Sequence, residues 1–445
     1  MKILLINPDP SFTSNSKPSV IKSIKGRMTI ISAPLAFPMI AAVTPKKHEI
    51  SIIDEIYQKI NFNKKYDIVG ITAMTPGSNR AYEIADEFRK KNITVVIGGN
   101  HATILPEEAK QHADSVVIGE AEEIWPQLLE DFEKAKLKPF YRQTKPVDIA
   151  KIPSPRRDII NRTFIAAGVQ TSRGCPFKCK YCFYSNSPHG SVYRKRPIGQ
   201  VVEEIKNIPQ KLIIFHDSSF TIDIDHTKNL FKALKGLNKK LICLGNVDVL
   251  SKDDELLQLA VEAGCIQWHV GFESLSPEAL EQVGKKTNKI ENYIKAVEKI
   301  HNHGMNVHGF FMFGFDKEPI SVFDDTLKFL KKAGLDSADF SILVPYPGTQ
   351  LYDELMQEKR ISTKDWSQYN FHNALVFKPI NKSQEDILKN MKKLVYDYHS
   401  YQFVSQRVSG LFKRGFFNFK WILFIIENIF TRKYYLKTFK KLDLR

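Results

Sequence analysis

Three of the five cysteines in this 445-residue chain lie within one short segment, TSRGCPFKCKYCFYS, residues 171–185. Cys175, Cys179 and Cys182 follow the spacing Cys-x-x-x-Cys-x-x-Cys. Three thiolates can hold a cubane 4Fe-4S cluster, but they leave one of its irons without a protein ligand. A small molecule that carries an amine and a carboxylate can chelate that open iron. The spacing therefore predicts a cluster that also binds a ligand.

Zinc is the alternative occupant of these cysteines. Cys₃His zinc sites exist, and His189 follows the third cysteine by seven positions. The usual zinc pattern pairs a tight Cys-x-x-Cys with a distant second pair, and that second pair is missing here. We therefore favour the cluster.

Composition predicts a cytoplasmic protein. Hydrophobic residues make up 43% of the chain and charged residues 26%, and no uninterrupted apolar run approaches the roughly 20 residues of a membrane span. The first apolar stretch is too short for a signal peptide. Cysteines clustered as thiolate ligands fit a reducing compartment better than a disulfide framework.

The first 136 residues predict a doubly wound α/β domain, Rossmann-like or flavodoxin-like, with a parallel sheet. Five short β-branched runs alternate with amphipathic helical patterns, and no Gly-x-Gly-x-x-Gly marks a dinucleotide site. Such sheets bind ligands at the carboxyl ends of their strands. The loops after the third and fourth strands contain small and hydroxyl residues, which predict the approach of a large flat ligand. The candidate residues of these two loops are Thr72, Met74, Thr75, Gly98, Gly99 and His101.

Residues 137–165 are predicted to be a linker, and residues 166–360 a partial (β/α)6 TIM-type barrel. Six strand-and-helix units follow the linker, with the cysteine segment after the first strand. Candidate site residues follow the second and fourth strands: Asp217, Ser218, Gly271, Glu273 and Ser274. His216, His269 and His308 are candidate proton donors or metal ligands, although singly placed histidines on apolar strands are more often core residues.

With Tyr181 directly before Cys182, the cysteine segment resembles the signature of the radical S-adenosylmethionine (radical SAM) enzymes. The resemblance implies that the open iron binds S-adenosylmethionine and that Tyr181 lies against its adenine. It also implies that Gly271 allows close approach of this cofactor, while Glu273 and Ser274 bind its ribose. Asp217 is able to accept a hydrogen bond from the bound ammonium. Ser218 stands where relatives often have a second acid.

The first third of the chain resembles the cobalamin-binding domain that precedes the barrel in one radical SAM class. The matching segments are the helix from Pro34, DIVGITAMT, VIGGNHAT and VVIGEAEE. The first loop, NPDPSFTSN, contains no histidine to ligate cobalt, so the resemblance implies cobalamin without a protein imidazole. His101 is the nearest candidate ligand, and a histidine that only donates and accepts hydrogen bonds is the favoured interpretation. A domain that has lost cobalamin and serves as a scaffold is the alternative.

These features predict a radical SAM enzyme that performs cobalamin-dependent C-methylation of an unactivated carbon. The alternatives are a cyclase or oxidase with the same domain order, such as the anaerobic magnesium-protoporphyrin ester cyclases, and a non-catalytic iron-sulfur protein. Reductive cleavage of S-adenosylmethionine would release a 5′-deoxyadenosyl radical. The net charge of +16 would suit an acidic flavodoxin or ferredoxin as electron donor.

Residues 361–445 predict a helical C-terminal region. Residues 405–445 contain ten Lys and Arg and two acids, a net charge of +8, interleaved with ten aromatic residues. We expect a helical cap first and peripheral membrane association through residues 411–445 second. The second expectation suggests an apolar or lipid substrate. No nucleic-acid partner is expected, because no nucleic-acid-binding fold is recognisable.

Overall fold

Two parallel six-stranded sheets follow one another along the chain in the computed structural model, which describes residues 1–10, 32, 34–160, 164–370 and 375–413. Side chains are described as far as residue 410. The first sheet has the strand order β2-β1-β3-β4-β5-β6. Its strands are β1 (Lys2–Asn7), β2 (Glu49–Asp54), β3 (Ile68–Thr72), β4 (Thr94–Gly98), β5 (Ser115–Ile118) and β6 (Phe140–Arg142).

Strand β1 shows why helices cover both faces of the first sheet. Leu4 and Ile6 belong to one buried cluster, whereas Ile3 and Leu5 belong to another that contains Trp125. Side chains alternate along a strand, so an apolar run buries both faces. The helices of this domain are α1 (Ala36–Val43), α2 (Ser78–Arg89), α3 (Asn100–Ile104), α4 (Pro106–His112) and α5 (Ile124–Glu133).

The doubly wound architecture predicted from the sequence is confirmed, with one added strand. Strand β6 lies inside residues 137–165, which were predicted to be a linker. It is only three residues long, and Tyr141 is its one buried side chain. A run this short carries no periodic signal, so its pairing with β5 comes from tertiary structure.

The second sheet has the order β14-β13-β12-β11-β10-β7 and forms the predicted partial barrel. A two-residue antiparallel hairpin, β8 and β9, follows its first strand. The strands are β7 (Ala166–Val169), β8 (Ser172–Arg173), β9 (Arg194–Lys195), β10 (Leu212–Phe215), β11 (Lys240–Gly245), β12 (Cys265–Glu273), β13 (Asn306–Phe313) and β14 (Ser337–Ile342). Helices α6 to α14 are Phe183–Asn186, Ile198–Lys206, Ile224–Leu234, Val247–Leu250, Asp254–Glu262, Pro277–Gln282, Tyr293–Asn302, Val322–Ala333 and Gln350–Gln357.

The described part of the C-terminal region is helical, as predicted. Helices α15 (Gln384–Tyr398) and α16 (Tyr401–Lys413) follow the barrel. Met391 and Leu394 belong to the same buried cluster as the barrel strands, so α15 caps the barrel core. Residues 414–445, which hold most of the predicted membrane-associating segment, lie outside the described residues. Within the described ranges, no helix has both the length and the apolar character needed to span a membrane.

Candidate active site

The cysteine loop, residues 174–193, is the connection between the paired strands β8 and β9. Its backbone is held by hydrogen bonds within the loop and by one to the segment that follows β12. The Cys175 amide donates to the Gly190 carbonyl at 2.8 Å, and the Lys180 amide donates to the Val283 carbonyl at 2.9 Å. The Asn186 amide group donates to the carbonyl oxygens of Cys179 and Cys182 at 3.0 and 2.7 Å. The loop is therefore ordered by hydrogen bonds that do not use the thiols.

The three thiols remain available as ligands. Burial raises the pKa of the Cys179 thiol to about 11, so this sulfur is protonated in the cluster-free protein and loses its proton when metal binds. No group of three His, Cys, Asp or Glu side chains among the described residues has the spacing to hold one metal ion. Each cysteine that holds a cubane cluster binds a different iron. That finding therefore concerns sites for a single metal ion and does not argue against a cluster.

Glu273 ends strand β12 beside this loop. Its φ of 64° is in the left-handed region, which costs a non-glycine residue roughly 1–3 kcal/mol. The Lys285 ammonium donates to its Oε1 at 3.0 Å. The Asn288 side chain donates to the carbonyl oxygens of Gly271 and Phe272 at 2.7 and 2.8 Å. The turn at Glu273 is therefore fixed by Lys285 and Asn288, which lie in the segment that follows it.

Lys285 and Asn288 were missed by sequence reasoning, because they lie in a polar stretch without a recognised motif. Burial lowers the pKa of Lys285, but Glu273 and the neighbouring Cys179 thiol raise it, and the net shift is upward. A charged ammonium is thus buried between the cysteines and Glu273. Burial and Glu273 also raise the pKa of Tyr181, whose ring packs edge-on against Phe315 at 6.2 Å between ring centroids.

Ser274 already has a protein partner in this structure. Its hydroxyl donates to Glu318 Oε1 at 2.5 Å, and the Gly314 amide donates to Glu318 Oε2 at 2.9 Å. Burial raises the pKa of Glu318 to about 7. The N-cap of the next helix is Ser276, which accepts from the Ala279 amide. Ribose binding by Glu273 and Ser274 stays a prediction.

Asp217 is buried under the start of the cysteine segment. Its carboxylate accepts hydrogen bonds from the amides and the hydroxyls of Thr171 and Ser172, with 2.8 Å to Thr171 Oγ1 and 2.6 Å to Ser172 Oγ. Burial raises its pKa to about 6. Asp217 therefore fixes the chain that leads into the cysteine loop. Its predicted bond to an ammonium of S-adenosylmethionine is an additional role that stays a prediction.

A cavity of about 480 Å³ lies between the carboxyl end of the first sheet and the cysteine loop. Residues of both domains line it, and five of the candidate residues predicted from the sequence are among them. These are Thr72, Gly98 and Gly99 from the first sheet, and His216 and Ser218 from the barrel. The glycine backbone and the hydroxyl that were expected to meet a large flat ligand with amide side chains therefore line this cavity.

Met74, Thr75 and His101 are not among the described residues that line this cavity. His101 is buried, with Nδ1 at 3.2 Å from Thr75 Oγ1 and Nε2 at 3.1 Å from Glu108 Oε1. Its ring packs edge-on against Trp366 at 5.1 Å. Both ring nitrogens thus have protein partners, which agrees with the favoured interpretation of His101 as a hydrogen-bonding residue.

The structure brings two of the three candidate histidines of the barrel together. His269 and His308 are register partners on β12 and β13, with ring centroids 4.8 Å apart. His308 also contacts Ser337 Oγ at 2.7 Å and Asp339 Oδ2 at 3.4 Å. Burial, together with the His308 charge, lowers the pKa of His269 to about 3, so this ring is neutral.

Two family models match the chain. Residues 169–330 match the radical SAM superfamily, and residues 32–129 match the B12-binding domain. These ranges lie within the first domain and within the barrel, in the order predicted from the sequence.

Curated relatives extend over most of the chain. Bacteriochlorophyllide d C-8(2)-methyltransferase of Chlorobaculum tepidum is 33% identical over 76% of this chain and 79% of its own. The C-12(1)-methyltransferase of the same organism is 28% identical over 91% of this chain and 90% of its own. Anaerobic magnesium-protoporphyrin IX monomethyl ester cyclase of Rubrivivax gelatinosus is 26% identical over 72% of this chain and 63% of its own.

Among solved structures, the radical S-adenosylmethionine methyltransferase TsrM from Kitasatospora setae, with cobalamin and a 4Fe-4S cluster bound, has a TM-score of 0.68. It is 17% identical, over 97% of this chain and 99% of its own. At that identity the likeness shows the fold.

The chain therefore belongs to the radical SAM superfamily, and within it to the enzymes that carry a B12-binding domain in front of the barrel. It is an enzyme whose cofactors are a 4Fe-4S cluster, S-adenosylmethionine and cobalamin. Enzymes of this superfamily typically need a reductant and a small-molecule substrate.

Proposed function

We propose that this enzyme transfers a methyl group to an unactivated carbon of a small, largely apolar molecule. The observation that carries the proposal is the cavity lined by both domains. One wall is the carboxyl end of the first sheet, represented by Thr72 and Gly98, and the opposite wall includes Gly174 and Tyr184 of the cysteine loop. The regions proposed to bind the two cofactors thus share one cavity, which supports transfer between them.

The cofactors would supply a carbon-centred radical and a methyl group, and the protein binds, orients and shields the reactants. Cys175, Cys179 and Cys182 would hold the cluster. Lys285, paired with Glu273 at 3.0 Å, would place a positive charge beside the cysteines, where it would attract the carboxylate of S-adenosylmethionine. The glycine backbone at Gly98 and Gly99 would accommodate the corrin ring.

Two named relatives support methylation, and the cyclase relative supports the alternative of ring closure or oxidation. Product mass separates the two. The assay incubates anaerobically reconstituted protein with a reductant, S-adenosylmethionine and hydroxocobalamin, and bacteriochlorophyllide is the first substrate tested. If the protein is a methyltransferase, the mass of the substrate should rise by about 14 units per turnover. A product that has lost hydrogen or gained oxygen would contradict the proposal.

A pair of cysteine variants controls this assay. Cys179→Ala is expected to lose both iron and formation of 5′-deoxyadenosine. Cys265→Ala removes a buried cysteine that lies in the barrel core, with its Sγ 3.9 Å from Cys243 Sγ. Cys265→Ala should keep its iron and still form 5′-deoxyadenosine, and the small cavity should cost about 1 kcal/mol of stability.

We also propose an acidic flavodoxin or ferredoxin as the reductant, and membrane association through residues 411–445. The high net charge supports an acidic reductant, and a rate of electron delivery that is insensitive to ionic strength would contradict it.

The aromatic and basic composition of residues 411–445 supports membrane association. Liposome co-sedimentation that is unchanged after deletion of residues 411–445 would contradict it.

A further inference from the structure

The two strands that begin and end the cysteine loop carry like charges directly opposite each other. Arg173 of β8 is the register partner of Arg194 of β9. Like charges at directly opposite positions destabilise an antiparallel pair, and a two-residue hairpin has little stability of its own. We call this pair of strands, β8 and β9, the neck of the cysteine loop. The neck needs an anion between the two guanidinium groups to stay paired.

That anion comes from the other domain. Glu120 follows β5 of the first sheet, and its Oε1 accepts from Arg173 Nη1 at 3.0 Å and from Arg194 Nη2 at 3.1 Å. Its Oε2 accepts from Arg194 Nη1 at 2.6 Å. One carboxylate thus bridges both guanidinium groups. Glu122 adds a second bond to Arg173, from Nη2 to Oε1 at 2.5 Å.

The Glu120 carboxylate that bridges the two arginines is held by further hydrogen bonds and is largely shielded from water. Gln143 Nε2 and the Val147 amide donate to Glu120 Oε2 at 2.9 and 3.2 Å. The side chains of Arg173, Arg194 and Glu120 are 12%, 14% and 22% exposed. At such burial an ion pair that loses one partner leaves an uncompensated charge, which is far more costly than the loss of a surface pair.

We propose that Glu120 is a positioning residue that holds the neck of the cysteine loop closed, so that the cobalamin-binding domain stabilises the cluster site in the barrel. Glu120, Glu122, Arg173 and Arg194 all line the cavity between the domains, so a ligand bound there touches the bridge. Occupation of the cavity therefore stabilises the cluster loop, and by reciprocity an intact cluster favours binding in the cavity. This inference holds for methyl transfer and for ring closure alike.

The test measures how long the reconstituted cluster survives. Iron release to a chelator is followed anaerobically for wild type, Glu120→Gln and the matched control Glu123→Gln, whose side chain is the exposed neighbour in the same segment. Glu120→Gln should release iron about tenfold faster than wild type, and the control at the wild-type rate. Equal rates for Glu120→Gln and wild type would overturn the proposal.

A double variant separates a bridge between like charges from a simple contact between domains. Once Glu120 is neutral, Glu122 is the one remaining carboxylate of the bridge for the two cations Arg173 and Arg194. Arg194→Gln in the Glu120→Gln background removes the excess charge and should slow iron release back toward the wild-type rate. If the two changes instead add, or if the double variant does not fold, the proposal is wrong. The double variant also decides the matter if Glu120→Gln alone gives no folded protein.

A third measurement uses no reaction and no cluster. Amide hydrogen exchange of residues 171–195 in the cluster-free protein should be slowed by hydroxocobalamin in wild type and in Glu123→Gln, but not in Glu120→Gln. Exchange that cobalamin does not slow in wild type would overturn the coupling. Because neither readout depends on product formation, failure of the proposed methylation leaves these outcomes distinguishable.

Discussion

Gly174, immediately before the first cysteine, is a position where one added methyl group should damage the cluster site. Its φ is 85°, and a Cβ built there would lie 2.1 Å from the Val192 carbonyl oxygen and 2.7 Å from the Val192 carbonyl carbon. Both atoms are backbone, so the β8–β9 neck has to move. The left-handed conformation costs roughly 1–2 kcal/mol for alanine, and the overpacking adds about 1–3 kcal/mol.

Two other glycines separate these contributions. Gly236 has a φ of 83° but nothing within 4 Å of its Cβ position, so Gly236→Ala should show only the backbone cost of roughly 1–2 kcal/mol. Gly199 has open space as well and lies in helix Ile198–Lys206. Gly199→Ala should stabilise the protein by about 0.5–1 kcal/mol.

The assay is iron content per chain after anaerobic reconstitution, together with thermal unfolding of the three variants. Gly174→Ala is expected to bind less iron than either of the other two, because displacement of Val192 also disturbs the bond between the Cys175 amide and the Gly190 carbonyl at 2.8 Å. If Gly174→Ala binds as much iron as Gly236→Ala, the steric reasoning about the neck is refuted.

Two further predictions concern buried charges near the site. The pKa of Glu318 is raised from 4.5 to about 7 in the folded protein. The protonated carboxyl therefore contributes to stability fully below about pH 4.5, and this contribution is lost as the pH rises through about 7. The free energy of unfolding should fall by roughly 3 kcal/mol over that range. Glu318→Gln should therefore flatten the stability of the cluster-free protein between about pH 5 and pH 8, and a denaturation profile as steep as that of wild type would contradict this. Removing the buried cation in Lys285→Met should lower the midpoint potential of the cluster by about 60 mV, a tenfold change for one electron, whereas the exposed neighbour in Lys286→Gln should not; a redox titration followed by electron paramagnetic resonance measures both.

The strands of both sheets could be predicted because each is an apolar run bounded by polar turns. Five strands of the first sheet and five of the barrel appear where the runs lie, and the first barrel strand, Ala166–Val169, overlaps the predicted run 168–173 by two residues. The exception, Phe140–Arg142, buries one side chain, Tyr141, and depends on its neighbour β5 for pairing. Local pattern thus sufficed wherever a strand buries several of its own side chains.

The site was less predictable, because side chains at strand ends have several possible partners. Asp217 was expected to face a ligand, yet its carboxylate takes four hydrogen bonds from Thr171 and Ser172. His101 follows the fourth strand, as predicted, but it lies in helix Asn100–Ile104 and its ring contacts Thr75 and Glu108. Strand-end position fixes where a residue lies and leaves its hydrogen-bond partner undetermined.

Glu120 shows the same limit most sharply. The segment VVIGEAEE matched a family pattern as a loop, and nothing in it indicates a partner 53 or 74 residues away. The bridge requires β5 to end beside the barrel, and it requires the register that sets Arg173 opposite Arg194. Each arginine alone would be one more cation in a basic chain; opposite each other, they need a shared counter-charge. A role of this kind follows from the juxtaposition of two domains, so only the three-dimensional structure shows that the cobalamin-binding half supplies the charge that closes the cluster-binding loop.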